Sequence, residues 1–341
     1  MKNFALIGVG GYIAPRHMKA IKDTGNVLVA AVDKSDSVGI MDSYFPGASF
    51  FTEFERFDRH VEKLSREDAG REVHYVSICS PNYLHDAHIR FALRTRAHAI
   101  CEKPVVLNPW NIAALAEIEA ESGYRVNTIL QLRLHPSIVA LKKSVDEQVK
   151  KDPRKMYDVD LTYLTSRGCW YHISWKGDDQ KSGGVVTNIG VHFFDMLAYI
   201  FGPVKENIAH IRNGDTAAGY LELEHARVRW FLSVNGAYLP AAAEKEGKTT
   251  YRAINVDGEA FEFSGGFTDL HTESYRQILA GRGFGLDQVR ESIRIVHTFR
   301  QMSPLGAKGE FHPFCTKVEQ PLVTDPYRPE KATFAGTAGG A

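Results

Sequence analysis

Between Phe4 and Asp33 the chain sets out an apolar run, a glycine-rich turn, a helix-length interval and a second apolar run. Few folds accommodate that order. Phe4-Ala5-Leu6-Ile7-Gly8 is continuous in apolar residues, as a strand buried on both faces of a parallel sheet must be. Gly8-Val9-Gly10-Gly11-Tyr12-Ile13-Ala14 follows, and Pro15 suits the first turn of a helix. A G-x-G turn placed there lets backbone N–H groups approach a pyrophosphate, which makes Gly8, Gly10, Tyr12 and Ile13 candidate cofactor contacts. The third small residue, Ala14, falls one place later than the strict spacing. Val27 to Val32 reads as the second strand and ends in Asp33. A carboxylate there accepts a hydrogen bond from a ribose 2′-hydroxyl and repels a 2′-phosphate, so NAD is expected over NADP. Lys34 works against that preference, and a plain turn acid is the alternative for Asp33.

Strand and helix patterns alternate as far as Gln131. Phe50-Phe51, His74 to Cys79, Ala97 to Cys101 and Arg125 to Gln131 read as strands, with helices to Leu93 and from Pro109 to about Glu121. Residues 1–130 are therefore expected to form a doubly wound parallel sheet, a Rossmann-type α/β domain. After Leu132 strand patterns follow one another: Tyr157 to Leu164, Val204 to Ile211, Gly219 to Leu223, Val228 to Val234, Ala253 to Val256 and Ala260 to Phe263. Residues 131–341 are expected to form an α+β domain with a large, mostly antiparallel open sheet, closed by helices His271 to Ala280 and Leu286 to Phe299. The tail from Phe311 reads as partly extended. Lys+Arg and Asp+Glu number 41 each, and no basic stripe points to nucleic acid. No apolar run is expected to cross a membrane, and no secretory signal pattern opens the chain. Cys79, Cys101, Cys169 and Cys315 form no C-x-x-C pair, so reduced thiols, a cytoplasmic location and no metal are expected.

Two places concentrate chemistry. Ala97 to Cys101 ends in Glu102-Lys103-Pro104, which sets a lysine at a strand's carboxyl end, where such sheets place ligands. A desolvated lysine there can assist hydride transfer; a solvated lysine after an edge strand is the alternative. Ser80, Asn82 and His85 follow another strand and would line the same cleft, with Asn82 also able to cap a helix. Gln131 sits at the end of the last strand. Further on, Ser182-Gly183-Gly184 leads into an apolar helical pattern where Asn188 and His192 share a face at i and i+4. Asp195, at i+3, is expected to orient the His192 ring; a buried structural histidine is the alternative.

The glycine loop, Cys101-Glu102-Lys103-Pro104, and Gly183-Gly184 followed by Asn188, Gly190 and His192, in this order, resemble the glucose–fructose oxidoreductase / inositol dehydrogenase / MocA family. The resemblance implies that Lys103 and His192 are the catalytic pair and that Glu102 and Pro104 help form the nicotinamide site. Many members carry Asp where this chain has Asn188, and an amide cannot take a proton, so Asn188 is expected to bind substrate. Asp160 to Gly168, Trp170-Tyr171, Ser174 to Asp178, Ala226 to Ser233 and Gly266 to His271 resemble more narrowly the UDP-N-acetylglucosaminuronic acid 3-dehydrogenases of bacterial surface-polysaccharide pathways. A UDP-sugar uronic acid needs further cations, and Arg167 and Lys176 stand just upstream of the His192 helix, with Tyr163 on a strand facing the cleft. Arg133 and His135 are expected near cofactor or sugar. The resemblance also implies a homo-oligomer (dimer or tetramer), 2-oxoglutarate as a recycling oxidant in some relatives, and a downstream aminotransferase. Either His192 or Lys103 can be the base. A dehydrogenase of a free sugar or polyol and a non-catalytic NAD-binding regulator are the competing readings.

Overall fold

The structure is a computed structural model and describes residues 1–67, 70–261 and 269–318. The expected strand past Phe261, residues 266–268 and the tail past Val318 lie outside the described residues. Strands β1 (Asn3–Ile7), β2 (Val27–Val32), β3 (Ser49–Phe51), β4 (Tyr75–Ile78), β5 (His98–Cys101) and β6 (Val126–Thr128) form one parallel sheet in the order β3-β2-β1-β4-β5-β6. The order reverses between β1 and β4, which opens a crevice at their carboxyl ends. Helices α1 (Ala14–Asp23), α2 (Phe54–Glu67), α3 (His85–Arg94) and α4 (Pro109–Ser122) flank it. Phe57, Ile89 and Ile112 pack with Ala5, Ile7 and Ala99 on one face, while α1 packs on Phe4, Leu6 and Ile100 on the other.

After α5 (Pro136–Lys151) comes β7 (Tyr157–Thr165), then the short helices α6 (Trp170–Ile173) and α7 (Asp179–Ser182), a π-helical turn over Val186–Gly190, and α8 (Val191–Phe201). Strands β8 (Val204–Arg212), β9 (Thr216–Leu223), β10 (Ala226–Ser233), β11 (Thr250–Val256) and β12 (Glu259–Phe261) follow, with α9 (Ala241–Lys245) between β10 and β11. The second sheet runs β12-β11-β7-β10-β9-β8; β7 pairs with β10 in parallel and the other pairs are antiparallel. β9 begins three residues earlier than its apolar pattern suggested, because the Thr216 hydroxyl finds the Ser233 hydroxyl at 2.8 Å and is satisfied inside the ladder.

Two expectations need correction. Of the last two helices, α11 (Leu286–Gln301) does close the second sheet, with Phe299 against Trp230, but α10 (Leu270–Leu279) does not. It crosses back to α1, where Tyr275 and Ile278 join the core of Phe4, Met18 and Ile21. The stretch Asp179–Phe201 is also apolar and long enough to cross a membrane by composition, contrary to the sequence reading. Its most apolar 18 residues are 67% buried inside the fold, so its apolarity serves the packing of Phe194 and Leu197 in the core.

Candidate active site

A cavity of about 1020 Å³ runs from the glycine loop to the inner strands of the second sheet. Its cofactor end is shaped by glycine. Gly8 has φ +85°, and a Cβ on it would lie 2.7 Å from the Cys79 carbonyl carbon, so the loop crosses the end of β4 where no side chain fits. A Cβ on Gly10 would press on the Asp33 carboxylate at 3.2 Å. Asp33 caps the loop: its Oδ2 accepts from Gly10 N–H at 2.9 Å and its Oδ1 from Ser35 N–H at 3.0 Å. Ala14 is fully buried in the first turn of α1, which explains how the late small residue still serves close helix packing. Tyr12, Ile13, Arg16 and Lys34 complete this rim.

The middle of the cavity is built by the ends of β4 and β5. Ser80 Oγ pairs with His88 Nδ1 at 2.8 Å, and burial lowers the His88 pKa to about 4, so this ring is neutral. Asn82 does not cap α3 with its side chain. Its Nδ2 donates instead to the Ser182 carbonyl at 3.0 Å and to Asn188 Oδ1 at 3.4 Å, tying β4's end to the second cluster. His85 lines the cavity but sets both ring nitrogens against backbone carbonyls, Pro104 at 2.7 Å and Ser80 at 2.8 Å, so it clamps two loops together. Glu102 is buried and accepts two imidazole contacts on one oxygen. Burial would push its carboxyl up; the His17 and His271 donors outweigh that and hold it well below the usual range. Lys103 Nζ donates to the Asn188 carbonyl at 3.0 Å. That carbonyl belongs to the π-helical turn, where the regular helix ladder is interrupted. Burial lowers the Lys103 pKa and Lys176 adds to this, while Glu102 opposes it.

Gln131 and His192 come together from different segments, with Gln131 Nε2 and His192 Nε2 at 3.4 Å. The amide N–H donates, so the His192 Nε2 carries a lone pair. Burial and the nearby Lys103 hold the His192 imidazole well below its ordinary pKa, which keeps it neutral. Gln131 Oε1 is buried and has no partner among the described residues. Asp195 does not orient His192. It is fixed by Arg133, whose Nε and Nη2 donate to its two oxygens at 2.9 and 2.7 Å, in a buried pair behind the cavity wall. Arg133 thus points away from the site, and His135 caps α5 by accepting from Ser137 N–H at 3.2 Å. The i+3 spacing could not reveal this, because Arg133 reaches Asp195 from a distant segment. Asn188 Nδ2 also donates to the Tyr171 hydroxyl at 3.3 Å.

At the far end stand Tyr163, Arg167 and Lys176. Lys176 Nζ lies 4.5 Å from the Trp175 ring centre, and burial, then Arg167, lower its pKa. Arg252, which no sequence motif marked, also lines this end and stands beside Tyr163 in register, its guanidinium 5.5 Å from that ring. The alternation of Thr250 and Arg252 on one strand face was the signal that would have found it. The bare glycine cradle, Asp33 at the end of β2 and the orphaned Gln131 Oε1 together fit a dinucleotide with a nicotinamide carboxamide.

A parallel sheet with this glycine turn, open to a cavity that also holds a lysine and a neutral imidazole, defines an NAD-binding oxidoreductase. Residues 2–129 match the oxidoreductase family with an NAD-binding Rossmann fold, and residues 152–279 match that family's C-terminal alpha/beta domain. The chain belongs to the Gfo/Idh/MocA oxidoreductase family. It is similar to the WlbA (WbpB) dehydrogenase of Thermus thermophilus solved with NAD and UDP-GlcNAcA, at 52% identity and a TM-score of 0.87, covering 92% of this chain and 100% of that one. The same enzyme solved with NAD and alpha-ketoglutarate gives 53% identity, a TM-score of 0.87 and the same coverage, 92% and 100%. The WlbA dehydrogenase of Bordetella pertussis, at 19% identity and a TM-score of 0.69 over 87% of this chain and 94% of that one, shares the fold. Inositol 2-dehydrogenase of Rhizobium meliloti is 25% identical over 202 residues, 58% of this chain and 54% of that protein. The chain spans about half the length of the curated relatives it matches.

Proposed function

We propose that the protein is an NAD-dependent dehydrogenase that oxidises the C3 hydroxyl of UDP-N-acetyl-D-glucosaminuronic acid to the 3-keto sugar. The observation that carries this reading is one continuous cavity: it joins the glycine loop and Asp33, through Lys103 and His192, to the cations Arg167 and Lys176. The similarity to the Thermus thermophilus enzyme supports the substrate choice. Bound NAD supplies the hydride acceptor, held by Gly8, Gly10, Tyr12, Ile13, Asp33, Ser80, Asn82, Glu102 and Gln131. His192 takes the C3 hydroxyl proton on its Nε2 lone pair once the hydroxyl displaces the Gln131 amide from it, and Lys103 hydrogen-bonds the developing oxyanion. Asn188 and Tyr163 contact the sugar, and Arg167 offers the fork that suits the uronic carboxylate. Residues 1–130 serve as the NAD-binding domain and residues 131–341 as the substrate-binding and oligomerisation domain, in a cytoplasmic dimer or tetramer.

Oxidising a secondary alcohol with NAD⁺ at neutral pH is uphill, so the ketone must be consumed. An aminotransferase acting on the 3-ketone does this in O-antigen construction, and 2-oxoglutarate serves as the oxidant that restores NAD⁺ in place. The similarity to an enzyme solved with alpha-ketoglutarate supports the second point. The test incubates enzyme, NAD⁺ and the nucleotide sugar with and without 2-oxoglutarate, then traps product with borodeuteride. Mass spectrometry should find deuterium at sugar C3. Deuterium at C4, or turnover of a free polyol such as inositol without turnover of the nucleotide sugar, would refute the substrate assignment.

A further inference from the structure

Behind Lys103 lies a chain of buried polar groups that meets the cavity only at Glu102. Ser77 Oγ and Tyr275 Oη are 2.6 Å apart, Tyr275 Oη and His17 Nδ1 2.7 Å, His17 Nε2 and Glu102 Oε1 2.9 Å, and His271 Nε2 and the same Oε1 3.0 Å. His17, Glu102 and His271 are 0%, 7% and 5% exposed. One proton arrangement satisfies each contact. Ser77 donates to Tyr275, Tyr275 to the Nδ1 of His17, and both Nε2–H groups to Glu102. Every proton then points toward one carboxylate oxygen. The other oxygen accepts from the Lys103 backbone N–H at 3.3 Å. His17 belongs to α1, whereas His271 and Tyr275 belong to α10, which returns from the far end of the chain. Without those donors a buried carboxylate would be costly and would take up a proton.

We propose that His17 and His271 are positioning residues that keep Glu102 charged beside Lys103, and that this relay sets the pH window in which the site works. It rests on the roles of Lys103 and His192 given above. The groups that feel Glu102 come from every element around it. Cys101 and Lys103 adjoin it in sequence, and Cys79 lies at the end of β4. His85 of α3 and His192 of α8 sense it electrostatically, as does Tyr275. The two cysteine thiols and Tyr275 are pushed up by burial and stay neutral, and His85 is held by the Pro104 and Ser80 carbonyls, so the responsive groups at the reacting centre are Lys103 and His192. A charged Glu102 raises the pKa of both. When it becomes neutral, Lys103 loses its proton at lower pH and His192 remains a free base to lower pH. Both limbs of the pH–rate bell then move toward acid.

The test compares wild type, Glu102→Gln, His271→Leu, His271→Gln and Tyr275→Phe, each first shown to bind NAD. The kcat bell of Glu102→Gln and His271→Leu should move acidward by about 1 pH unit, the order of an opposite charge at this range. His271→Gln keeps an N–H donor and should restore the wild-type bell, and Tyr275→Phe should give a smaller shift in the same direction. In parallel, infrared spectra with ¹³C-labelled glutamate should show a protonated carboxyl in His271→Leu that is missing in wild type and in Glu102→Gln. This readout needs no substrate, so it stands even if the nucleotide sugar is not turned over. An ionised carboxyl in His271→Leu, or a bell that keeps its position while only kcat falls, would overturn the proposal.

Discussion

Asp195→Asn separates two roles for one carboxylate. Asp195 holds Arg133 through two charge-assisted hydrogen bonds of 2.7 and 2.9 Å, and both side chains are at least nine-tenths buried. Removing one member of such a pair costs about 3–5 kcal/mol, because the other charge stays buried. Here the lower end applies. Arg133 keeps its bond to the Gln288 carbonyl at 2.9 Å and lies 4.9 and 5.4 Å from the Tyr199 and Phe284 ring centres. A loss of about 3 kcal/mol, on the order of 4 °C in Tm for a chain of this size, is expected by urea unfolding and calorimetry. Burial pushes the Asp195 carboxyl up although Arg133 pulls it down, and a buried pair of this kind can be replaced by apolar side chains without loss. The double variant Arg133→Met/Asp195→Leu should therefore be more stable than Asp195→Asn alone. The pair also joins the segment after Gln131 to α8 behind His192, so turnover should fall in step with the loosened geometry and recover in part in the double variant. Stability within about 1 kcal/mol of wild type, combined with collapsed turnover, would refute this and return Asp195 to the role of orienting His192.

Asp33→Ala should narrow the preference for NAD over NADP, measured by calorimetry, since the acid that repels a 2′-phosphate is gone. Lys103→Ala and His192→Ala should each lower turnover by about 10²–10⁴-fold while NAD binding survives in the His192 variant. Because burial and Lys103 depress the His192 pKa, the ring takes a proton only well below the ordinary histidine range. Activity should accordingly persist as pH falls through about 6.5 and be lost further down, in a kcat/KM profile. Gly8→Ala should abolish NAD binding or folding, as its Cβ would meet the β4 backbone at 2.7 Å.

What the sequence made legible was local. The strand-turn-helix order located Gly8, Gly10 and Asp33, and a strand ending in Glu-Lys-Pro located Lys103, because each signal lies within a few residues. His192 was found by its glycine lead-in, although the π-helical turn at Asn188 alters the helix phase that the i+4 argument assumed. What failed was long-range. Nothing near Asp195 announces Arg133, and nothing near Glu102 announces His17 or His271. The same holds for α10: its amphipathic pattern showed a helix but not which sheet it would cover.

That return of α10 bears on how far the molecule can be taken apart. One face of the parallel sheet is covered by α1 and, in place of a helix following β6, by Tyr275 and Ile278 of α10. Thr128 is moreover bridged to Phe284 just beyond it. A fragment ending at residue 130 would strip Tyr275 and Ile278 from the core of Phe4, Met18 and Ile21 and leave His17 without Tyr275. The smallest portable nucleotide-binding unit to test is thus a discontinuous one, residues 1–130 grafted to the segment 270–284, and modular swaps between relatives should exchange those two pieces together.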